Sequence, residues 1–322
     1  MPLPPLREDD DRILGDTAEL WVSVDARSPG DEAFASLDAL AEKFNLAAGR
    51  RGSPAPRPAD LLTFGVTAPS SILKLSPEAT AKSSKMRPAL QRLVTDASVP
   101  SEELDSTLVK LCRETHKRPE LRDELLLACL ALTRGNDNAE CGTRAWDMMH
   151  CLCASVTPTD TFAPFLGDYL SRCASGSNSS PTAHRQLVQK AFAAHKRCVK
   201  GGARRHAPSQ DDFRALRADL KLSTQIFFLD DTFEELPHDL LTTVGDATPS
   251  LALAIKLKEY KTFGLFEVKR KLQVGMGIQS EDDDESQNNG ESSIALKDDQ
   301  YLSDVLMDHK RLTTGGVSSS ES

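Results

Sequence analysis

The sequence predicts a mainly α protein, in which a helical bundle is followed by a smaller α+β unit. Two observations predict this fold class. Between residues 61 and 206, apolar residues recur at helical spacing, and no strand-like run interrupts them. After Lys221 the pattern changes to a short apolar run, an acidic turn and a second extended run, which is typical of a β-hairpin.

The bundle helices are marked by local start and stop signals. Ser76 precedes a proline and a glutamate, which predicts a helix start because proline suits the first helical position. Residues 121–133 form the most apolar stretch, and we expect that helix to be almost entirely buried. Further helices are predicted to begin at Ser101 and to span residues 143–154, 162–173 and 183–199.

The second unit has the element order of a ubiquitin-like β-grasp. Its predicted elements are a strand, an acidic turn at Asp230 and Asp231, a second strand, a helix and a third strand. They cover residues 226–229, 232–236, 244–257 and 263–268. This is the opening half of a β-grasp. Such a unit has no room for a catalytic pocket, so the sequence indicates binding rather than chemistry.

Changes in composition predict the domain boundaries. The linker at 49–60 alternates proline with small and basic residues, which keeps a chain extended. An amphipathic segment at 31–44 precedes it and either docks on the bundle or lies loose. We expect a mostly disordered extension (1–57), the bundle (58–206), the second unit (207–312, with a leading helix at 210–216 and an acidic loop at 277–293) and a disordered tail (313–322).

Composition argues against several classes of function. The net charge of −9 disfavours a general nucleic-acid binder. The chain contains no run of eighteen apolar residues, so no transmembrane segment is predicted. The N-terminus lacks the pattern of a secretory signal. Seven cysteines are scattered unevenly, and Cys151 and Cys153 lack the spacing of a zinc site. We expect a reduced, cytosolic protein that holds no metal or cofactor.

The bundle resembles the MyTH4 domain of myosin tails. The matching features are the Leu-Arg-Asp-Glu sequence that starts at Leu121, the Arg-Ala-Trp sequence that ends at Trp146, and a turn at Pro158. That turn precedes a helix with Phe165, Leu166, Tyr169 and Leu170. The unit that follows resembles the first, ubiquitin-like lobe of a FERM domain. The resemblance implies a helical MyTH4 domain joined to a FERM lobe.

The pairing is similar to that of one family, the plant and algal kinesin-like calmodulin-binding proteins of the kinesin-14 type. The segments that carry this resemblance are FFLDDTFEEL, TTVGDA, IKLKEYKTFGLFEVKR and DDQYLSDVL, together with the junction KRCVKGGARRHAPSQDDFRAL. The resemblance covers about residues 61–311. It implies that the tail binds microtubules, whose tubulin surface is acidic.

Three departures from that family limit what the resemblance implies. No G-x-x-x-x-G-K-[ST] phosphate loop occurs, so neither a motor domain nor ATP hydrolysis is expected. The second and third FERM lobes are missing. No basic amphipathic helix lies at the C-terminus, so the family's calmodulin site is not carried over. We interpret the chain as a tail-only protein or a truncated gene product.

One window of the chain is strongly basic. Residues 182–206 contain no Asp or Glu, although the whole chain is acidic. A basic patch of this kind favours binding to an acidic filament, whereas the alternative is a solvated helix face. The candidate microtubule-binding residues are Arg185, Lys190, Lys196, Arg197, Lys200, Arg204 and Arg205.

A second basic group lies at the start of the most apolar helix. Its members are Arg113, Lys117, Arg118 and Arg122. The group is a secondary candidate for filament binding. The alternative is that some of these residues, Arg122 among them, are internal ion-pair partners.

The sequence therefore predicts a non-enzymatic cytoskeletal adaptor in the cytoplasm, with microtubules as the first partner and actin or a cargo peptide as further candidates. The alternative is a scaffold whose FERM-like lobe captures a protein or membrane-linked cargo, with the basic patch incidental. A hydrolase built on His150, Cys151 or Cys153 is disfavoured, because the sequence places no base or orienting group beside them. Trp146, Met148 and Met149 are interpreted as core, and no heptad seam predicts a coiled coil.

Overall fold

The computed structural model describes residues 37–46, 57–66, 70–136, 138–175, 184–270 and 291–314. Its helices are α1 (Pro58–Leu61), α2 (Pro77–Thr95), α3 (Ser101–Lys117), α4 (Leu121–Thr133), α5 (Ala139–Ser155), α6 (Ala163–Ala174), α7 (Arg185–Gly201), α8 (Gln210–Arg217), α9 (Val244–Ala254) and α10 (Leu302–Thr314). Its strands are β1 (Leu222–Phe227), β2 (Phe233–His238), β3 (Phe266–Arg270) and β4 (Glu291–Ala295). The predicted fold class is confirmed.

Helix α4 lies at the centre of the bundle. It contacts α2, α3 and α5, and eleven of its thirteen residues are buried, as its apolar sequence predicts. Helix α5 packs on α7, and α7 packs on α6. The Trp146 ring stacks on Tyr169 with centroids 6.1 Å apart, and Met148 and Met149 are fully buried. The interpretation of Trp146 and both methionines as core is therefore confirmed.

The amphipathic segment before the linker docks on the bundle, as far as it is described. Leu37 and Phe44 are fully buried, and Phe44 forms an antiparallel bridge with Leu73. The Phe44 ring also meets Phe162 at a centroid distance of 6.2 Å. The predicted helix itself shortens to a 3-10 turn at Ala41–Lys43, and residues 31–36 lie outside the described part of the chain.

The second unit contains two separate antiparallel strand pairs and the helix α9. Strand β1 pairs with β2, and β3 pairs with β4. Strand β2 packs on α9, and a small core is formed by Leu236 on β2, Ala247 on α9 and Leu302 on α10. The predicted order of hairpin, helix and further strand is confirmed.

Three predicted boundaries of this unit were wrong. Strand β1 begins at Leu222 rather than at residue 226. The prediction relied on apolar residues and missed the first half of the strand, because polar Ser223 and Gln225 occupy its exposed face. Helix α9 ends before residue 257, because Lys256 adopts a left-handed φ of 59°. Strand β4 begins at Glu291, so residues 291–293 of the predicted acidic loop 277–293 belong to a strand; the loop's other residues lie outside the described chain.

Helix α8 packs on the bundle, although residues 210–216 were predicted to be the leading helix of the second unit. Phe213 is fully buried in the bundle core. The Arg217 guanidinium lies 2.9 Å from Asp105 on α3 and 2.7 Å from Asp147 on α5. These two ion pairs connect α8 to helices more than sixty residues away, so sequence position alone did not indicate where α8 packs. Among the described residues, no helix combines the length and apolar character needed to cross a bilayer.

Buried His195 on α7 predicts acid sensitivity. Its Nε2 lies 3.1 Å from the Ala163 carbonyl oxygen, and burial lowers its pKa from 6.5 to about 4. The neutral ring is favoured in the folded protein, whereas the unfolded chain titrates near pH 6.5. Stability is therefore lost as the pH falls from about 6.5 toward 4, by about 2 kcal/mol at pH 5.

Urea unfolding of the wild type and of His195→Gln at pH 7.5 and pH 5 tests this expectation. Glutamine can still donate to Ala163 but does not titrate. Between pH 7.5 and pH 5, the free energy of unfolding of the variant should fall by about 2 kcal/mol less than that of the wild type. His150 and His238, whose pKa values burial also lowers, remain in both proteins and cancel in the comparison. An equal loss in both proteins would contradict the assignment to His195.

Candidate functional site

Helix α7 orders most of the predicted basic window. Its apolar positions Val188, Ala191, Ala194 and Cys198 are buried and recur every three or four residues. This spacing directs one stripe of the helix toward α5 and α6. The remaining positions, which carry the cations, therefore face outward.

Three of the seven predicted residues form an exposed row on α7. Arg185, Lys196 and Lys200 are exposed, and none forms an ion pair with a described residue. At about 100° per residue, their side chains lie within about 60° of one another around the helix axis. The Lys196 ammonium lies 4.3 Å from the centroid of the Phe192 ring. We call Arg185, Lys196 and Lys200 the basic row.

Three other predicted residues are paired with carboxylates that follow the bundle in the chain. Two of the three carboxylates lie more than forty residues from their partners. The pairs are Lys190 with Asp219 at 3.3 Å, Arg197 with Asp239 at 3.1 Å and Arg205 with Asp308 at 3.2 Å. The positive charge of these residues is therefore largely matched within the molecule.

Asp239 is the centre of the strongest of these pairings. It accepts hydrogen bonds from Arg197 at 3.1 and 3.3 Å and from Lys221 at 2.7 Å. Burial by itself would raise the pKa of Asp239, but the two cations outweigh it and hold the pKa well below its ordinary value. Arg197 is thus fixed toward the second unit.

Arg204 does not lie on the surface. Its exposed fraction is 6%, and its guanidinium donates to the Ala154 carbonyl at 3.3 Å, to Ser303 Oγ at 3.0 Å and to the Leu240 carbonyl. It also lies 3.7 Å from Asp304 and 4.1 Å from the centroid of the Tyr301 ring. Its inclusion among surface residues was wrong, because the second unit folds over it.

The second predicted group does not form one open patch. Arg113 and Lys117 are exposed on α3, with Lys117 lying 3.8 Å from Glu114. Arg118 pairs with Glu78 and lies 3.1 Å from Glu114. Arg122 is half-buried. Within the described residues it is Arg118, and not Arg122 as the sequence suggested, that forms ion pairs.

The cysteines beside His150 are held as neutral thiols. Burial raises the pKa of Cys151 and of Cys153 well above the ordinary value, and burial lowers the pKa of His150. Both changes oppose a thiolate–imidazolium pair. Within the described residues, no group of three or more His, Cys, Asp or Glu side chains is arranged to hold a metal ion.

Sequence reasoning missed the carboxylates that match the basic window. Asp239, Asp304 and Asp308 lie 42 to 103 residues from the cations of the basic window that they contact. A run of charge is visible in a sequence, but its partner across the fold is not. Asp304 lies in the segment DDQYLSDVL, which the sequence assigns to the second unit but does not place beside the basic window.

A comparison with protein families matches the description "MyTH4 domain" to residues 108–215. The chain is 34% identical over 245 residues to "Kinesin-like protein KIN-14I" of Oryza sativa subsp. japonica, which covers 75% of this chain and 19% of the relative. It is 31% identical over 250 residues to "Kinesin-like protein KIN-14E" of Arabidopsis thaliana, which covers 76% and 19%. The chain therefore spans about a fifth of the length of these relatives.

Solved structures share the fold at low sequence identity. The Dictyostelium discoideum myosin VII MyTH4-FERM MF1 domain, in a mutant form, matches 92% of this chain and 57% of its own with a TM-score of 0.65 at 15% identity. The human myosin 7b C-terminal MyTH4-FERM domain, solved in complex with the harmonin-a PDZ3 domain, matches with a TM-score of 0.56 at 14% identity. These likenesses support a MyTH4-FERM fold for this chain.

Proposed function

We propose that this chain, which contains a MyTH4 domain and has a MyTH4-FERM fold, is a non-enzymatic cytoskeletal adaptor. It binds microtubules through the basic row on α7. The observation that carries this proposal is the row itself. Arg185, Lys196 and Lys200 are exposed, aligned and unpaired among the described residues. The place of action is then the cytoplasm, on the cytoskeleton.

Electrostatics supports an acidic filament as the partner of this row. Helix α7 contains no Asp or Glu, and the carboxylates that pair with its cations contact Lys190 and Arg197 rather than the basic row. A row of lysine and arginine side chains increases the association rate with an acidic surface and makes the affinity depend on salt. Arg204 has no part in this proposal because it is buried.

Charge reversal of the basic row should abolish co-sedimentation with microtubules at low salt. The test variant is Arg185→Glu, Lys196→Glu and Lys200→Glu together. Wild-type binding should weaken by about tenfold or more between 50 and 200 mM salt, since exposed charges are increasingly screened over this range. The measurement is the fraction of protein that pellets with microtubules at each salt concentration.

A matched control is available on α3. Lys110, Arg113 and Lys117 are exposed there, and their reversal to Glu changes the net charge by the same amount. The proposal requires the α7 variant to lose binding and the α3 variant to keep it. If only the α3 variant loses binding to microtubules, the secondary group carries the binding. If both variants lose binding equally, overall charge rather than the basic row is responsible. If neither variant loses binding, the basic row is a solvated face.

A second candidate function is a scaffold that captures cargo through the FERM-like lobe. The observation that favours it is the lobe's surface, where large apolar side chains are exposed on both strand pairs, including Phe227, Phe266 and Ile294. A partner that binds there would tolerate charge reversal on α7. Binding of this partner would be lost when the exposed apolar residues of the lobe are replaced.

A further inference from the structure

The hairpin of β1 and β2 carries an aromatic pair on its outer face. Phe227 and Phe233 lie opposite each other in the strand register, and their ring centroids are 5.7 Å apart. Their exposed fractions are 67% and 50%, and Leu229 at the turn is fully exposed. Aromatic rings left in water at a hairpin offer a partner a large gain from burial at a small cost in conformational entropy.

Four carboxylates lie on both faces of the hairpin close in sequence to this aromatic pair. Asp230 and Asp231 occupy the turn and Glu234 and Glu235 lie on β2, and all four are exposed. No lysine or arginine occurs between Leu222 and His238. The surface would therefore repel an acidic partner and attract a basic one.

The outer edge of β2 is open within the described chain. Strand β2 pairs with β1 and with no other described strand, so its second row of backbone groups is available for strand addition. Pro237 lacks an N–H, which limits such pairing to the part of β2 before it. That part begins at Phe233 and includes both glutamates.

We propose that this hairpin is a docking site for an extended, basic segment of a partner protein. The segment adds beside β2, and its alternate side chains point to opposite faces of the sheet. Apolar side chains on the outer face cover Phe233 and Phe227, and lysine or arginine side chains on the other face meet Glu234. The site is independent of the basic row on α7 and selects partners of the opposite charge.

The test uses the full chain and a fluorescein-labelled dodecapeptide in which leucine and lysine alternate. Fluorescence anisotropy should show binding that weakens as salt rises. Replacing Phe227 and Phe233 together with serine should weaken the binding by at least about tenfold, the loss expected for an aromatic hot spot. A dodecapeptide of alternating leucine and glutamate should bind at least tenfold more weakly to the wild type.

The matched control variant is Phe263→Ser, which removes an equally exposed aromatic side chain outside the hairpin. It should bind the lysine peptide as the wild type does. Equal binding by the double serine variant would overturn the proposal, because the acidic chain would then be attracting the peptide elsewhere. Light scattering measures the oligomeric state of the wild type and of the double serine variant. A dimeric wild type and a monomeric variant would show that the hairpin serves self-association instead.

Discussion

Replacing Arg204 with alanine is expected to lower the free energy of unfolding by about 3–5 kcal/mol, the cost of breaking a buried ion pair from one side. Its guanidinium connects the end of α5, through the Ala154 carbonyl, to Leu240 and Ser303 of the lobe. Asp304, which is also buried, would lose its positive neighbour. Asp304 would keep its hydrogen bond from the Arg205 backbone N–H at 2.7 Å, but the buried carboxylate would have no cation beside it.

The matched control for this prediction is Arg205→Ala. Arg205 is the next residue and also pairs with an aspartate, Asp308 at 3.2 Å, but it is exposed. An exposed pair contributes only about 0–1 kcal/mol. Urea unfolding of both variants measures the change in the free energy of unfolding. Equal changes would show that burial of Arg204 adds nothing to stability.

The burial of Arg204 affects which variants can be used to measure filament binding. A charge-reversal variant that included Arg204 would place a glutamate beside Asp304 in a buried site. Loss of binding could then come from unfolding of the junction rather than from loss of a surface cation. The basic row avoids this ambiguity because its three members are exposed.

Glu124→Ala should have an effect of similar size, about 3 kcal/mol or more. The Glu124 carboxylate is fully buried and accepts hydrogen bonds from the backbone N–H groups of Ile72 and Leu73, both at 2.8 Å, and from Ser83 Oγ at 2.6 Å. These bonds connect α4 to α2 and to the segment that holds Phe44. Alanine would leave three buried donors unpaired, each at a cost of about 1–3 kcal/mol before relaxation.

Glu120→Ala is the control for Glu124. Glu120 precedes α4 and bonds Ser76 Oγ at 2.8 Å, but it is exposed, so its loss should cost less than about 1 kcal/mol. Amide hydrogen exchange supplies a local measurement beside urea unfolding. The Ile72 and Leu73 amides should exchange faster in Glu124→Ala and not in Glu120→Ala. Unchanged protection at both amides would contradict the role assigned to Glu124.

Local sequence signals predicted the helices well because those signals act over only a few residues. Helix α4 spans the predicted residues 121–133, and Ser76 caps α2 by accepting from the Ala79 N–H at 3.3 Å. The bounds of the strands were harder to predict from the sequence. Strand β1 alternates polar and apolar residues, and only its apolar part was predicted. Strand β4 begins inside an acidic stretch that resembles a loop.

By itself, the amino-acid sequence determined the mainly α fold, the order of bundle and lobe, and the existence of a basic window without carboxylates. Periodicity and capping are local properties, so they can be read without the fold. Only the tertiary structure decided which cations of that window are exposed. Arg204 is buried and Arg197 is paired because Asp304 and Asp239, distant in sequence, are brought to them when the lobe packs on α7. Coulomb attraction depends on separation in space, and separation along the chain does not reveal it.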